Sequence, residues 1–198
     1  MRNPKVEEEV LNHYLIRDEA HLKEVLSGAD SAEVCLEIGC GNGIFTARLA
    51  HSAPEALIIA CELDLKRAKK TVQRFHREGL IRCRMRHGTG EELLSWFPEA
   101  SIDRFYLNFP DPWPKKKHHR RRFFYPQEVL ANLIEKLKPG GKIYFVSDHE
   151  EYFFFNLEER LKKNDQIASP LEKGFALSLP GYFSTHYEEK FKAMGKPI

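Results

Sequence analysis

Cysteine and histidine patterns that would indicate a metal site are missing from this sequence. Its four cysteines form no CxxC pair, and no histidines are spaced around them as zinc ligands would be. We therefore expect reduced thiols and no bound metal. Cys35 and Cys61 lie inside apolar runs, which is typical of small core residues.

Long hydrophobic runs are missing as well. The N-terminus, MRNPKVEEEV, has no apolar core of the kind that a secretory signal needs. The longest apolar runs, such as ALIIAC, are far too short to cross a bilayer. No repeat, low-complexity tract or linker divides the chain. We expect a protein without a membrane partner, located in the cytoplasm.

Overall charge is low, although one short segment is strongly basic. The 198 residues carry a formal net charge of +2 and are 42% hydrophobic, an ordinary balance for a globular protein. Six positive charges fall within KKKHHRRR, residues 115–122, so the other residues together sum to −4. A local patch of this kind indicates a binding surface and says little about the fold.

Strands and helices alternate along most of the chain. Apolar runs typical of strands occupy residues 34–39, 56–64, 81–88, 102–109 and 142–148. Helical patterns occupy about residues 18–26, 44–51, 65–78, 91–97, 126–141 and 150–163. This order predicts an α/β fold with a mostly parallel sheet covered by helices on both faces. We expect one domain over residues 31–198, preceded by a polar N-terminal arm at residues 1–30.

A glycine-rich loop, EIGCGNG at residues 37–43, follows the first predicted strand. Gly39, Gly41 and Gly43 allow a tight turn and a close backbone approach at a helix N-terminus. The third glycine comes one residue earlier than in the GxGxxG fingerprint of dinucleotide-binding proteins. A carboxylate such as Glu37 could face a cationic ligand, although a purely structural turn is the alternative.

Two further strands end in polar residues that suit a nucleoside ligand. Glu62 ends the second strand about 20 residues after the glycine loop, where an acid can accept from ribose hydroxyls. The third strand ends in HGTGEEL, which places the polar residue Thr89 at the same edge of the sheet. Together with the glycine loop, these residues predict a cofactor site.

The fourth strand leads into a rigid acidic loop, FPDPW, directly before the basic segment. Prolines on both sides fix the backbone of Asp111 and orient its carboxylate. Trp113 could stack on a base, or it could be a core residue in a proline-rich turn. A basic run beside such a loop would hold a phosphate backbone, although a solvated face is the alternative.

These motifs together resemble one family. ExGxGxG, NFPDPWPKKKHHRRR, the strand ending at Ser147 and Asp148, and THYEEKF near the C-terminus are similar to the bacterial tRNA (guanine-N7)-methyltransferases. The resemblance covers about residues 30–198. It implies a Rossmann-like class I methyltransferase that uses S-adenosylmethionine and methylates N7 of guanine 46 in the variable loop of tRNA.

The resemblance also implies roles for individual residues. Positions that contact the cofactor are Glu37, Gly39, Gly41, Gly43, Glu62, Thr89 and Asp111. Asp111 is also the implied catalytic residue. Positions that contact the substrate are Lys115, Asp148, Thr185, His186, Tyr187 and Glu188.

The chain departs from the family pattern at two places. Thr89 stands where the family usually has Asp, which predicts weaker recognition of adenine. The sequence ends at GKPI, where the family continues into a last strand, so the sheet is expected to lack its antiparallel edge strand.

Several alternatives remain open from the residues alone. Asp148 could be a helix N-cap, and Thr185 with Glu188 could form a capping box. The proline-rich loop also resembles the (D/N)PP(Y/W) loop of enzymes that methylate exocyclic amines. A small-molecule methyltransferase and a non-catalytic RNA-binding module are further alternatives. A monomer and a homodimer are both compatible with the sequence.

Overall fold

A parallel sheet lies at the centre of the structure, a computed structural model that describes residues 12–29, 32–179 and 182–195. The strands are β1 (Val34–Ile38), β2 (Leu57–Glu62), β3 (Cys83–His87), β4 (Ile102–Asn108) and β5 (Leu137–Val146). They are ordered β3-β2-β1-β4-β5, and every neighbouring pair is parallel. The carboxyl ends of all five strands therefore meet at one edge, where ligands bind in open α/β sheets.

Helices connect the strands. The α-helices are α1 (Glu19–Ser27), α2 (Ile44–Ser52), α3 (Leu65–Arg77), α4 (Gly90–Trp96), α5 (Gln127–Lys136), α6 (Glu150–Asn156) and α7 (His186–Ala193). A 3₁₀ helix spans Lys116–Arg121, and a π-helical turn, Leu157–Leu161, continues directly from α6.

Each face of the sheet packs into its own apolar core. One core joins Leu36 and Ile59 of the central strands to α1, α4 and α5. The other joins Cys35 and Ile58 to α2 and α3. Every residue of β1 and β2 is buried, which fits strands that are covered on both faces. The predicted parallel α/β fold is confirmed.

Part of the predicted N-terminal arm packs onto the core. The side chains of Tyr14, Ile16 and Leu22 are buried, and the Ile16 N–H donates to the Met85 carbonyl at 2.9 Å. Residues 1–11 lie outside the described residues, so the boundary at residue 30 stays a prediction. Across the described parts of the chain, no helix has the length and apolar character that crossing a membrane would require.

The predicted helix over residues 126–141 is too long. Helix α5 ends at Lys136, and Leu137 already has an extended backbone and pairs with Ile102 in the sheet. Pro139 explains the early stop, since the residue before a proline is disfavoured in the helical region.

The segment after β5 also differs from the prediction. The helix predicted over residues 150–163 is α-helical only to Asn156 and then changes to a π-helical turn. Its N-cap is His149, whose ring accepts from the Tyr152 N–H at 3.3 Å. The alternative that Asp148 caps this helix is therefore wrong.

The sheet is expected from the sequence to lack an antiparallel edge strand, because the chain ends at GKPI. The five strands of the described residues are all parallel. Residues 196–198 lie outside the described residues, so this expectation stays a prediction.

Candidate active site

The glycine loop at the carboxyl end of β1 has a backbone that favours glycine. Gly39, Gly41 and Gly43 have φ values of 75°, 60° and 69°, in the left-handed region. A Cβ at Gly43 would lie 2.7 Å from the Thr71 side chain, so this glycine permits close packing against α3. A Cβ at Gly39 or Gly41 would meet nothing within 4 Å, so a ligand has room to approach the backbone there.

Glu62 at the end of β2 holds this loop in place. Its buried carboxylate accepts the Gly41 N–H at 2.8 Å through Oε2 and the Asp64 N–H at 2.9 Å through Oε1. A carboxylate has about four acceptor positions, so capacity remains for two hydroxyl donors. Glu62 can therefore orient the loop and bind a ribose at the same time.

Glu37 lies beneath the loop and is almost fully buried, with 2% of its surface exposed. Its carboxylate accepts from the Thr46 hydroxyl at 2.5 Å and from the Asn108 amide at 3.4 Å. Burial raises the pKa of Glu37 to about 7, although both hydrogen bonds favour the ionised form. A cationic ligand beside Glu37 would favour ionisation further.

Two residues that sequence reasoning missed complete this network. The Tyr182 hydroxyl donates to Asn108 Oδ1, and its ring lies 5.4 Å from that of Phe45. Asn108 had a detectable signal, because it is a polar residue at the end of the strand beside β1. Tyr182 had none, since only the tertiary fold brings its segment to β4.

These residues fit the cofactor predicted from the sequence. Glu62 offers acceptors for ribose hydroxyls, the open space beside Gly39 and Gly41 admits a ligand, and Glu37 can face a cationic group. Thr89 is exposed at the end of β3, next to β2. Its hydroxyl accepts from the Glu92 N–H at 3.2 Å as the N-cap of α4, so part of its bonding capacity is already used.

The FPDPW loop follows β4 and has a strained backbone. Phe109 and Trp113 have φ values of 48° and 44°, which are outliers for bulky side chains. The Phe109 N–H donates to the Val146 carbonyl at 2.8 Å, and its ring lies 5.1 Å from that of Tyr187. Asp111 is exposed at the centre of the loop.

Arg122, the last residue of the basic segment, holds this loop through a hydrogen bond to its backbone. Its side chain is fully buried and donates to the Pro112 carbonyl at 2.7 Å. It also forms a bidentate pair with Glu151, at 3.1 and 2.6 Å, and lies 4.7 Å from the Tyr152 ring centroid. The interpretation of residues 115–122 as a phosphate-binding run is therefore wrong for Arg122.

The other five cations of that segment are exposed: Lys115, Lys116, Lys117, Arg120 and Arg121. Lys115 precedes the 3₁₀ helix, and the Arg121 guanidinium lies 4.8 Å from the Trp113 ring centroid. This contact leaves the indole half-buried and connects the basic segment to the strained loop.

Predicted substrate residues meet beside the same loop. The Tyr187 hydroxyl donates to Asp148 at 2.9 Å. Burial, followed by the hydrogen bond and charge of Asp148 and the charge of Asp111, raises the pKa of Tyr187 to about 12. The fold thus brings Asp111, Asp148 and Tyr187 together, although they come from three separate segments.

The other residues of THYEEKF build the start of α7. Thr185 caps the helix by accepting from the Glu188 N–H at 3.1 Å, and Glu188 accepts from the Thr185 N–H at 3.3 Å. The predicted capping box is confirmed. The side chain of His186 lies outside the described part of the structure, so its predicted contact with substrate stays a prediction.

Arg48 of α2 joins the C-terminal segment to the cofactor end. Its guanidinium donates to the Ser184 carbonyl at 2.5 Å and pairs with Glu189 at 2.7 Å. In the described ranges, no three His, Cys, Asp or Glu side chains are grouped as metal ligands would be.

Comparison with known sequences gives consistent matches. Residues 31–198 match a family model described as "Putative methyltransferase". A tRNA (guanine-N(7)-)-methyltransferase of Syntrophotalea carbinolica is 34% identical over 198 residues, covering 96% of this chain and 83% of that protein. One from Limosilactobacillus fermentum is 34% identical, covering 82% and 76%. One from Thermus thermophilus is 42% identical over 125 residues, covering 63% of this chain and 40% of that protein.

Solved structures of low sequence identity share the fold. The aminoglycoside resistance methyltransferase NpmB1 has a TM-score of 0.53 at 22% identity, with 76% of each chain covered. Precorrin-6y C5,15-methyltransferase from Geobacter metallireducens has a TM-score of 0.54 at 15% identity, covering 75% of this chain and 71% of that one. The architecture is thus that of known methyltransferases.

Replacing Glu37 by Gln should change the pH dependence of stability. An acid whose pKa rises from 4.5 to about 7 on folding destabilises the folded state as pH rises through that interval. The unfolding free energy of Glu37→Gln relative to wild type should therefore increase by about 2 kcal/mol between pH 5 and pH 8. Chemical denaturation at both pH values measures this, and a pH-independent difference would contradict the raised pKa.

Replacing Glu151 by Ala should destabilise the protein, because it leaves the buried Arg122 guanidinium without its carboxylate. We expect a loss of about 2 kcal/mol, below the range for fully buried pairs since Glu151 is half-exposed. Glu150→Ala is the matched control, since both glutamates lie in the first turn of α6. Equal losses in the two variants by chemical denaturation would show that the Arg122 pair contributes nothing specific.

Proposed function

Because this chain belongs to the tRNA (guanine-N7)-methyltransferase family, we propose that it transfers a methyl group from S-adenosylmethionine to N7 of a guanine in tRNA. The position proposed is guanine 46 of the variable loop. One observation carries this proposal. The Glu62-held glycine loop and the cluster of Asp111, Asp148 and Tyr187 lie at the same edge of one sheet.

The residues proposed to hold the cofactor are those at the ends of β1 and β2. Glu62 would accept from the ribose hydroxyls, and Glu37 would face the cationic amino acid part. Thr89 would accept from the adenine amino group, as a weaker acceptor than a carboxylate. S-adenosylmethionine, when bound, supplies an electrophilic methyl group on a sulfonium.

The target atom explains why the site needs no proton-abstracting residue. Guanine N7 has an in-plane lone pair and carries no proton, so the chain has only to position the base and stabilise the charge that develops on its ring. Asp111 is exposed on a loop fixed by Arg122, so its carboxylate is available to a base. We assign Asp111 to accept from the guanine N1–H and amino group.

The proposed substrate residues surround this carboxylate. Asp148 would act beside Asp111, and Tyr187 orients Asp148 through its hydroxyl. Lys115 and the other exposed cations of residues 115–121 would contact tRNA phosphates. Thr185 and Glu188 form the start of α7, so we propose that they present Tyr187 and His186 to the RNA. Since tRNA is the proposed substrate, the cytoplasm is the proposed compartment.

Transfer of labelled methyl groups from S-adenosylmethionine to unmodified tRNA transcripts tests this function. We expect label on N7 of guanine 46, and no label in a transcript with 7-deazaguanine at that position. That base keeps the shape and the pairing edge of guanine but lacks the N7 lone pair. Label on an exocyclic amine would favour the alternative methyltransferase class, and RNA binding without transfer would favour a non-catalytic module.

Asp111→Asn tests the residue assignment. The amide keeps the size of the carboxylate but loses the negative charge, so turnover should fall about 100-fold or more while tRNA affinity changes little. Asp165→Asn, at an exposed aspartate after the π-helical turn, is the control and should leave turnover unchanged. Turnover close to wild type in Asp111→Asn would remove Asp111 from the catalytic role.

A further inference from the structure

Helix α3 has an unusually basic exposed face in its first two turns. The side chains of Lys66, Arg67, Lys69 and Lys70 are exposed, while Ala68, Thr71, Val72 and Phe75 of the same helix face the core. The four cations lie outside the basic segment at residues 115–121 and have no role in the site described above.

In the part of the chain that the structure describes, several lysines on other surfaces form ion pairs with carboxylates, whereas the four α3 cations do not. Lys23, Lys162, Lys163 and Lys192 each pair with a glutamate four residues earlier, at 2.5 to 2.7 Å. Over the described residues, none of the four α3 cations forms an ion pair within 4.0 Å. The sequence explains this contrast, because the positions four before Lys69 and Lys70 are Leu65 and Lys66.

The arrangement is also unfavourable for the helix itself. Lys66 and Lys70 are like charges at i, i+4, which destabilise a helix slightly. Lys66 and Arg67 lie in the first turn, where the helix dipole disfavours cations, and the charge of the N-cap carboxylate of Asp64 offsets this in part. A bound polyanion would relieve both repulsions.

The position of this face suits an RNA that enters the proposed site. Helix α3 starts three residues after Glu62, whose carboxylate holds the glycine loop. It packs on one face of the sheet, whereas Phe123 and Phe124, which follow the basic segment, pack on the other. Strand β1 alone separates β2, which leads into α3, from β4, which leads into that segment. The two basic surfaces therefore flank the glycine loop.

We propose that the exposed face of α3, formed by Lys66, Arg67, Lys69 and Lys70, is a second tRNA-binding surface that contacts the phosphate backbone. A tRNA laid across the carboxyl edge would contact residues 115–121 on one side and α3 on the other, with the target base between them. This surface deepens the proposed function and rests on it for the identity of the RNA.

The test compares two pairs of neighbouring lysines. Lys69→Gln/Lys70→Gln and Lys162→Gln/Lys163→Gln each remove two exposed positive charges, but only the second pair is neutralised by glutamates. Gln has nearly the helix propensity of Lys, so α3 should stay folded. Binding of an unmodified tRNA transcript is measured for both variants and wild type between 50 and 200 mM KCl.

Losing two phosphate contacts should weaken tRNA binding by the α3 variant about tenfold at 150 mM salt. The slope of log affinity against log salt is negative, and its magnitude should decrease by about 1.4–1.8. The control variant should match wild type in both quantities, and S-adenosylmethionine affinity should be unchanged in all three proteins. Equal effects of the two double variants, or no change of slope in the α3 variant, would overturn the proposal.

Methyl transfer by the wild-type protein, measured in parallel, separates this inference from the proposed function. Transfer with an unchanged salt slope would leave the function standing and remove the α3 surface. A reduced slope without any transfer would keep α3 as an RNA-binding surface and contradict the proposed function.

Discussion

The carboxylate of Glu62 is the interaction on which the site depends. It accepts the Gly41 and Asp64 backbone N–H groups at once, and so fixes the glycine loop to the start of α3. The loop backbone is left-handed at three glycines, and hydrogen bonds to the Cys61 carbonyl, Thr71 and Arg74 hold it as well. Because the same carboxylate keeps acceptor capacity, one side chain can set the shape of the site and bind the ribose of S-adenosylmethionine. Removing it would therefore disturb both the loop and the proposed contact to the ligand.

The FPDPW loop, which forms the other part of the site, is held by the buried guanidinium of Arg122. Arg122 binds the Pro112 carbonyl and Glu151, and so supports a loop whose Phe109 and Trp113 have strained backbones. The prolines limit the motion of Asp111, and Arg122 supplies the connection to α6. Only the Arg122 side of this ion pair is buried, since Glu151 is half-exposed. The five other cations of the basic segment stay exposed beside it.

Local sequence signals predicted the alternation of strands and helices and the parallel sheet, and the family resemblance is confirmed by the relatives that the chain matches. What failed was decided by tertiary contacts. Strand β5 extends back to Leu137 because Ile102 pairs with it, and Arg122 is buried although its sequence neighbours are exposed. Tyr182 had no sequence signal, since the fold alone brings it to Asn108. Residue roles in the site follow from resemblance and geometry and stay proposals.

Hydrogen–deuterium exchange of the wild-type protein, with and without S-adenosylmethionine, tests whether the loop that Glu62 holds is where the cofactor binds. We expect slower exchange at the backbone amides of residues 39–43 and 62–64, because ligand binding stabilises the loop that Glu62 holds. Addition of tRNA should then slow exchange at residues 109–121. Unchanged exchange at residues 39–43, or protection at the amino ends of the strands instead, would show that the cofactor binds elsewhere.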